Sequence, residues 1–282
     1  MTRLAAVFAC LVLAAGGVSS AEIADATGRV LDIPENPKIV AMTPAVADFV
    51  ARAGAAENLV GVSSFSPDVG RKVGCVGSVF SPDYEAIVAL RPDVVLCSEI
   101  ADNSVRARLE SCGVKVFTVY ADGLGNIEKN MRLIGAVCGR AAQADQIADD
   151  FRAKTTGQNV GGGRRALFVF ASVAAGKGSF VSDLMERFGY ANCAAVAGGS
   201  WPMLHREFVV KANPEIIFAA AANDGERAAM SETFKTDAAW RSTDAVKNSR
   251  VYFVDAKYIM LPSVGVAGAA DVFRRAGGAD SE

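Results

Sequence analysis

Hydrophobic positions along the chain follow two patterns in turn, one typical of buried strands and one typical of helices. Short apolar runs that predict buried strands are followed by segments in which apolar residues have helical spacing. The first run is 38–42, and after it Thr43 and Pro44 suit the N-cap and first turn of a helix over 43–55. Further strands are predicted at 59–64, 93–98, 115–120, 166–172, 215–220 and 251–255. Strands that alternate with helices across short loops predict a parallel sheet covered by helices.

This alternation stops between residues 126 and 155, where no strand is predicted. Ile127, Met131 and Ile134 fall at helical spacing, and Gly139 divides two predicted helices. Strands and helices resume after the glycine-rich stretch 155–165. The chain is therefore predicted to contain two α/β lobes with a helical segment between them.

One short sequence occurs once in each predicted lobe. EAIVALRPDVVL (85–96) and EFVVKANPEIIF (207–218) align without gaps, so that Glu85 lies over Glu207 and Pro92 over Pro214. Each copy predicts a helix, a turn and a buried strand, and Asp83 is suited to cap the first helix. Any α/β protein can reuse such a unit. Reuse alone explains why the prolines and the apolar pairs recur, but it does not explain as well why a glutamate opens both copies.

The first residues predict a signal peptide over 1–21. Arg3 supplies a positive start, an apolar stretch covers 4–15, and small residues at 19–21 predict cleavage after Ala21. No later segment is long and apolar enough to predict a membrane span. The sequence therefore predicts an exported, periplasmic protein.

Composition and charge narrow the function. The chain is 51% hydrophobic and 21% charged, so that sizeable cores can form. The net charge of −2 gives no electrostatic basis for binding nucleic acid. His205 is the single histidine and no hydrolase or zinc-protease motif is present, so we predict no enzyme, no catalytic residues and no metal site in the protein itself. An exported enzyme is the weaker alternative.

Five cysteines follow the predicted signal peptide, and none forms a CxxC pair. They are Cys75, Cys97, Cys112, Cys138 and Cys193. An odd number leaves at least one unpaired, and their spacing favours free or structural thiols over zinc ligands.

Five motifs, in the order found here, resemble the helical-backbone substrate-binding proteins of ABC importers, which carry vitamin B12, haem and ferric siderophores. The motifs are DATGRVLDIPENPKIVAMTPA, ENLVGVSSFS, SPDYEAIVALRPDVVL, AGKGSFVSDLMERFGYAN and WPMLHREFVVKANPEII. The resemblance implies two Rossmann-like α/β lobes with mostly parallel central sheets, joined by one long backbone helix, with a ligand cleft between the lobes. The bounds it implies are a signal peptide at 1–21, an N-terminal lobe at 22–140, a connecting helix at 141–157 and a C-terminal lobe at 158–282.

The resemblance also gives the repeated glutamates a role. It implies that Glu85 and Glu207 each project from one lobe and pair with arginines of the two permease subunits. The alternative is that each glutamate only complements the dipole of its helix. The expected partners are an ABC permease dimer with its ATPase and a small-molecule metal chelate, and the binding protein itself is expected to be a monomer.

Ligands in α/β lobes collect in the loops that follow the strands. Together with the resemblance, this rule nominates as ligand-binding residues Thr43, Pro44, Ser64, Phe65, Phe80, Asn103, Lys177, Trp201, His205 and Tyr258. Phe65 stands where vitamin B12 binders usually have a cleft Tyr, and Trp201 matches a cleft Trp of the same proteins. His205 replaces the usual N-cap residue, and both an axial metal ligand and a solvated loop residue remain open for it. Tyr258 follows the last strand, where some siderophore binders place a Tyr that coordinates iron.

The bound ligand is predicted to be a metal chelate, with no intrinsic cofactor. Trp201, Phe65 and the lack of His or Tyr in the first-lobe cleft loops favour a corrinoid such as cobalamin. Tyr258 and the basic pair Arg71 and Lys72 make a ferric siderophore a close second, and haem is third. An exported sensory protein of the same fold, with no transport role, is the alternative function.

Overall fold

The computed structural model describes residues 20–99, 101, 103–121, 123–157 and 159–278. The predicted signal peptide lies outside the described residues except for Ser20 and Ala21. Those two residues begin the first strand of an antiparallel hairpin, whose second strand lies in the stretch 25–37, where the alternating pattern predicts a short strand. The hairpin consists of β1 (Ser20–Ala24) and β2 (Val30–Pro34).

The first lobe is built on a five-stranded parallel sheet, as the alternating pattern predicts. Its strand order is β5-β4-β3-β6-β7, in which every neighbouring pair is parallel. The strands are β3 (Ile39–Ala41), β4 (Leu59–Val62), β5 (Gly74–Cys75), β6 (Val94–Ser98) and β7 (Val116–Val119). The helices are α1 (Pro44–Arg52), α2 (Tyr84–Ala89) and α3 (Asn103–Ser111). Thr43 caps α1 by accepting the N–H of Val46 at 3.3 Å, which confirms the predicted helix start.

Two helices fill the segment in which no strand was predicted. They are α4 (Leu124–Val137) and α5 (Ala141–Thr155), and they turn at Gly139, whose φ of 66° is the left-handed conformation that glycine adopts without strain. Helix α5 covers most of the predicted connecting helix at 141–157 and packs against both α4 and a helix near the end of the chain, α11 (Ala267–Gly278).

A network of charged side chains ties α4 to α5. Arg132 donates to Asp145 and to Asp149, each at 2.6 Å, and Arg152 donates to Glu128 at 3.0 Å. The hydrogen bond from Arg152 is the main reason that the pKa of the Glu128 carboxyl lies below its usual value. The network holds the two central helices in one relative orientation.

The second lobe repeats the parallel architecture. Its sheet has the order β10-β8-β11-β12, with a short strand β9 antiparallel to β8. The strands are β8 (Arg165–Phe170), β9 (Val173–Ala174), β10 (Ala191–Asn192), β11 (Ile216–Ala221) and β12 (Val251–Asp255). Besides α11, its helices are α6 (Phe180–Arg187), α7 (Arg206–Ala212), α8 (Asp224–Thr236), α9 (Ala238–Arg241) and α10 (Asp244–Lys247). Within the described residues, no helix combines the length and apolar character needed to cross a bilayer.

The repeated sequence folds in the same way in both lobes. Helix α2 leads through Arg91 (φ 46°) to β6, and α7 leads through Asn213 (φ 38°) to β11. Asp93 accepts the N–H of Lys38 at 2.7 Å, at the start of the neighbouring strand. In the second lobe Glu215 accepts the N–H of Arg165 at 2.9 Å in the same way. The repeated acidic residues after the prolines thus hydrogen-bond each unit to the start of the neighbouring strand of its sheet.

Candidate functional site

Two adjoining cavities form a cleft to which both lobes contribute. A cavity of about 570 Å³ is lined by Phe170, Val173, Gly178, Ser179, Phe180, Ser200, Trp201, Ile259, Met260 and Pro262. A second, of about 450 Å³, is lined by Met42, Thr43, Pro44, Ala45, Ser63, Ser64, Phe65, Ser78, Val79, Phe80, Met260, Leu261 and Pro262. Met260 and Pro262 line both, so the segment 260–262 of the second lobe joins the cavities. Both volumes lie in the usual range for small-molecule sites.

The first-lobe wall is built from the loops that follow β3 and β4 and from the loop before α2. It contains five of the predicted ligand-binding residues, namely Thr43, Pro44, Ser64, Phe65 and Phe80. The rings of Phe65 and Phe80 are 95% and 80% exposed. Phe65 also has a φ of 65°, which is unusual for a bulky residue and holds the ring out from the loop.

The second-lobe wall holds its main aromatic residue more firmly. Trp201 packs edge-on against Phe180, with ring centroids 6.2 Å apart, and is 37% exposed. The loop that carries Trp201 is bound to the loop before α6, because the N–H of Gly176 donates to the Ser200 carbonyl at 2.9 Å. A Cβ atom on Gly176 would lie 2.2 Å from the Gly199 carbonyl oxygen, so the two loops pack as closely as glycine allows.

Four predicted site residues are absent from these cavity walls. Lys177 is exposed beside Gly178, which does line the cleft. Asn103 lines a separate cavity of about 240 Å³ and accepts a hydrogen bond from Arg106 at 3.1 Å. His205 is exposed at the N-cap position of α7 and makes no side-chain capping bond, as expected for a weak cap.

Tyr258 lines neither of the two cavities. Its ring lies against α11, where a Cβ atom on Gly268 would come within 2.4 Å of the ring. The basic pair is also placed outside the cleft walls, and Arg71 donates to the Glu57 carbonyl at 2.6 Å. Neither of the two features that favoured a siderophore therefore lines the two cavities.

The strand-end rule did not single out several residues that line the cleft. Met260 belongs to the stretch 257–260 after β12 that the rule nominates, and it does line the cleft. Pro262 lies beyond that stretch, where the sequence has no aromatic or charged signal. Phe180 could have been found, because it follows the AGKGS loop beside the cleft.

The cleft walls are uncharged. Among the described residues that line the two cavities, none carries an ionisable side chain. Hydroxyl groups come from Thr43, Ser63, Ser64, Ser78, Ser179 and Ser200. Aromatic rings and scattered hydroxyls suit a large ligand with flat faces and neutral hydrogen-bonding groups at its edge.

The cysteines at the five described positions are free thiols. Cys75 is exposed and lies 3.5 Å from the Ser64 hydroxyl, a contact that lowers the pKa of the thiol. Cys97 is buried, and burial raises the pKa of its thiol to about 12. In the part of the chain that the structure describes, no group of three or more His, Cys, Asp or Glu side chains could hold a metal ion.

The two repeated glutamates lie outside the cleft, on the first turns of α2 and α7. Glu85 and Glu207 are both exposed. Neither carboxylate has an ion-pair partner among the described residues.

The two sheets, the central helices and the uncharged cleft define a two-lobed ligand-binding protein. Residues 39–258 match the family described as "Periplasmic binding protein", and the chain belongs to that family. It is 25% identical over 254 residues to a "Cobalamin-binding protein" of Halobacterium salinarum (strain ATCC 29341 / DSM 671 / R1), covering 85% of this chain and 69% of the relative.

Solved structures share the fold. The periplasmic vitamin B12 binding protein BtuF of Vibrio cholerae matches 88% of this chain and 100% of its own, with a TM-score of 0.70 at 19% identity. The periplasmic heme binding protein HutB of Vibrio cholerae matches 87% of this chain and 99% of its own, with a TM-score of 0.69 at 16% identity. At these identities the likeness concerns the fold, and the two proteins bind different ligands.

Proposed function

We propose that this protein is a periplasmic solute-binding protein that captures a corrinoid such as cobalamin and delivers it to an ABC import permease with its ATPase. The observation that carries the ligand class is the uncharged, aromatic and hydroxyl-rich cleft. The edge of a cobalamin corrin ring carries neutral amides, which can hydrogen-bond to serine and threonine hydroxyls. Haem and many ferric siderophores carry anionic groups, which proteins usually meet with Arg or Lys.

The family match and the sequence support an exported protein that binds a solute without transforming it. Substrate-binding proteins of this family bind and release a solute and carry out no reaction, and the chain begins with a predicted signal peptide over 1–21. The curated relative from Halobacterium salinarum is named for cobalamin. We infer that the protein works as an exported monomer with the chelate as cargo.

Delivery rests on Glu85 and Glu207. Each lobe presents one exposed carboxylate with no ion-pair partner among the described residues, and a permease of two identical subunits offers one matching basic site to each. Exposed ion pairs contribute little affinity, but they set the register and the rate of encounter.

The test is a fluorescence titration of the chain from Glu22 with cyanocobalamin, haemin and a panel of ferric siderophores, corrected for ligand absorbance. Trp201 lies in the cleft, whereas Trp240 packs against Phe234, outside both cavities. We expect saturable one-to-one quenching by cyanocobalamin that is lost in Trp201→Phe and kept in Trp240→Phe. Quenching by haemin or a siderophore alone would overturn the corrinoid assignment, and no quenching by any of them would overturn the chelate class.

A further inference from the structure

The fold explains most positions of the repeated unit but leaves two pairs unexplained. Ile87 of α2 and Val209 of α7 occupy equivalent positions and are buried against their sheets. The prolines end the helices, and the acidic residues after them bind the neighbouring strands. The exposed pairs are Glu85 with Glu207 and Val88 with Val210.

The two exposed valines share a helix face with the two glutamates. Val88 is 39% exposed and Val210 is 50% exposed, and each lies three residues after its glutamate. Residues three apart are neighbours on a helix surface, so each lobe presents a carboxylate and an apolar side chain side by side.

Local structure gives no reason for these valines. A β-branched residue is a poorer helix former than alanine, and at a position that leaves 39% or 50% of the side chain exposed, the short helix gains only part of what burial of a valine can give. A glutamate in the first turn complements the helix dipole, but a valine one turn later has no such local role. Two equivalent helices nevertheless carry the same exposed pair.

We propose that Glu85 with Val88, and Glu207 with Val210, form two equivalent docking faces, in which the valines supply the apolar contact with the permease. This inference rests on the proposed transport function. The partner of each face is a permease surface with a basic side chain next to an apolar patch. The carboxylate orients the encounter, and burial of the valine removes apolar area from water and slows dissociation.

The experiment measures binding of the ligand-free protein to the permease–ATPase complex of the same cell, reconstituted in lipid nanodiscs. The variants are Val88→Gln with Val210→Gln, and Glu85→Gln with Glu207→Gln. Glutamine favours helix and adds no charge, so the first pair tests apolar contact alone. Val30→Gln is the matched control, because Val30 is an exposed valine on β2, outside the repeated unit.

We expect the valine pair to weaken binding about tenfold at both low and high salt, since apolar contact is not screened. The glutamate pair should weaken binding mainly at low salt and flatten its salt dependence, while Val30→Gln changes neither. If the glutamate pair weakens binding and the valine pair does not, the valine contact is wrong and the transport function stands. If neither pair has an effect, the proposed docking itself is wrong.

Discussion

The two walls of the cleft differ in how their aromatic side chains are held. In the first lobe, Phe65 and Phe80 are almost fully exposed and make no ring contact within the described chain. In the second lobe, Trp201 rests on Phe180 and its loop is bound to the loop before α6. A side chain that is already packed loses less freedom on binding than an exposed one. We therefore expect the second lobe to offer a preformed surface to a ligand, and the rings of the first lobe to become ordered only when a ligand binds.

Removal of the preformed surface should have the largest effect. We expect Trp201→Ala to weaken cyanocobalamin binding about 100-fold, because a large, packed aromatic face is lost from the second-lobe wall of the cleft. Isothermal titration calorimetry measures the change, and Trp240→Phe, outside the cleft, serves as the control. A loss of less than threefold would show that the second-lobe wall does not dominate the affinity.

A smaller effect is expected from loosening that wall without removing the indole ring. In Gly176→Ala the new Cβ would collide with the Gly199 carbonyl and separate the two bound loops, so we expect about tenfold weaker binding. Gly125→Ala on α4 is the matched control, since a Cβ there meets nothing within 4 Å. Equal affinities for the two variants would contradict preformation of the Trp201 loop.

The first-lobe rings should matter less. We expect Phe65→Ala to weaken binding about fivefold, because the gain from stacking is offset by the cost of ordering an exposed side chain. Stopped-flow measurement of dissociation should show most of this change in the off-rate. A loss as large as that of Trp201→Ala would remove the distinction between the two walls.

The first lobe contains a buried carboxylate whose charge should make the stability of the fold depend on pH. Asp25, beside β7 in the first lobe, is buried, and among the described residues it is the only buried carboxylate. Burial alone would raise the pKa of its carboxyl, but hydrogen bonds from Thr27, Arg29 and Thr118 outweigh burial and hold the pKa below the usual value. The ionised form therefore stabilises the fold above the ordinary range of aspartate, and this stabilisation is lost as pH falls through the lowered pKa.

We expect Asp25→Ala to lower the free energy of unfolding by about 1–3 kcal/mol at pH 7 without changing ligand affinity. The difference from the native chain should shrink as the pH is lowered toward 3. Urea unfolding at the two pH values measures both effects, and Asp271→Ala, an exposed carboxylate on α11, is the control. A difference that is as large at pH 3 as at pH 7 would show that the charge of Asp25 is not the cause.

The fold was largely predictable because its strands are short apolar runs and its helices begin at recognisable caps. Thr43 and Asp83 cap α1 and α2 as predicted. Helix α8 was not predicted, since Phe234 is its only fully buried residue and the apolar period is weak. Helix α11 was missed because alanines make up much of its buried face.

Apart from Trp201, which the family resemblance supplied, the cleft was predictable where a loop directly follows a strand or precedes a capped helix. Thr43, Ser64 and Phe80 were found in this way. Tyr258 and Met260 lie two residues apart in one segment, yet Tyr258 packs under Gly268 and Met260 reaches the cleft. Which side chain of a turn faces the ligand depends on packing between distant helices, and local sequence does not encode it.

The docking that we propose for the two repeated faces would have a consequence for how the complex assembles. A chain with two equivalent faces can approach a partner of two identical subunits in two orientations related by half a turn, which doubles the number of productive encounters. The faces differ at the next exposed position, which is Ala89 on α2 and Lys211 on α7. Because the two subunits of such a partner are identical, the two orientations have the same energy even though Lys211 stands one turn beyond Glu207 on only one of the faces.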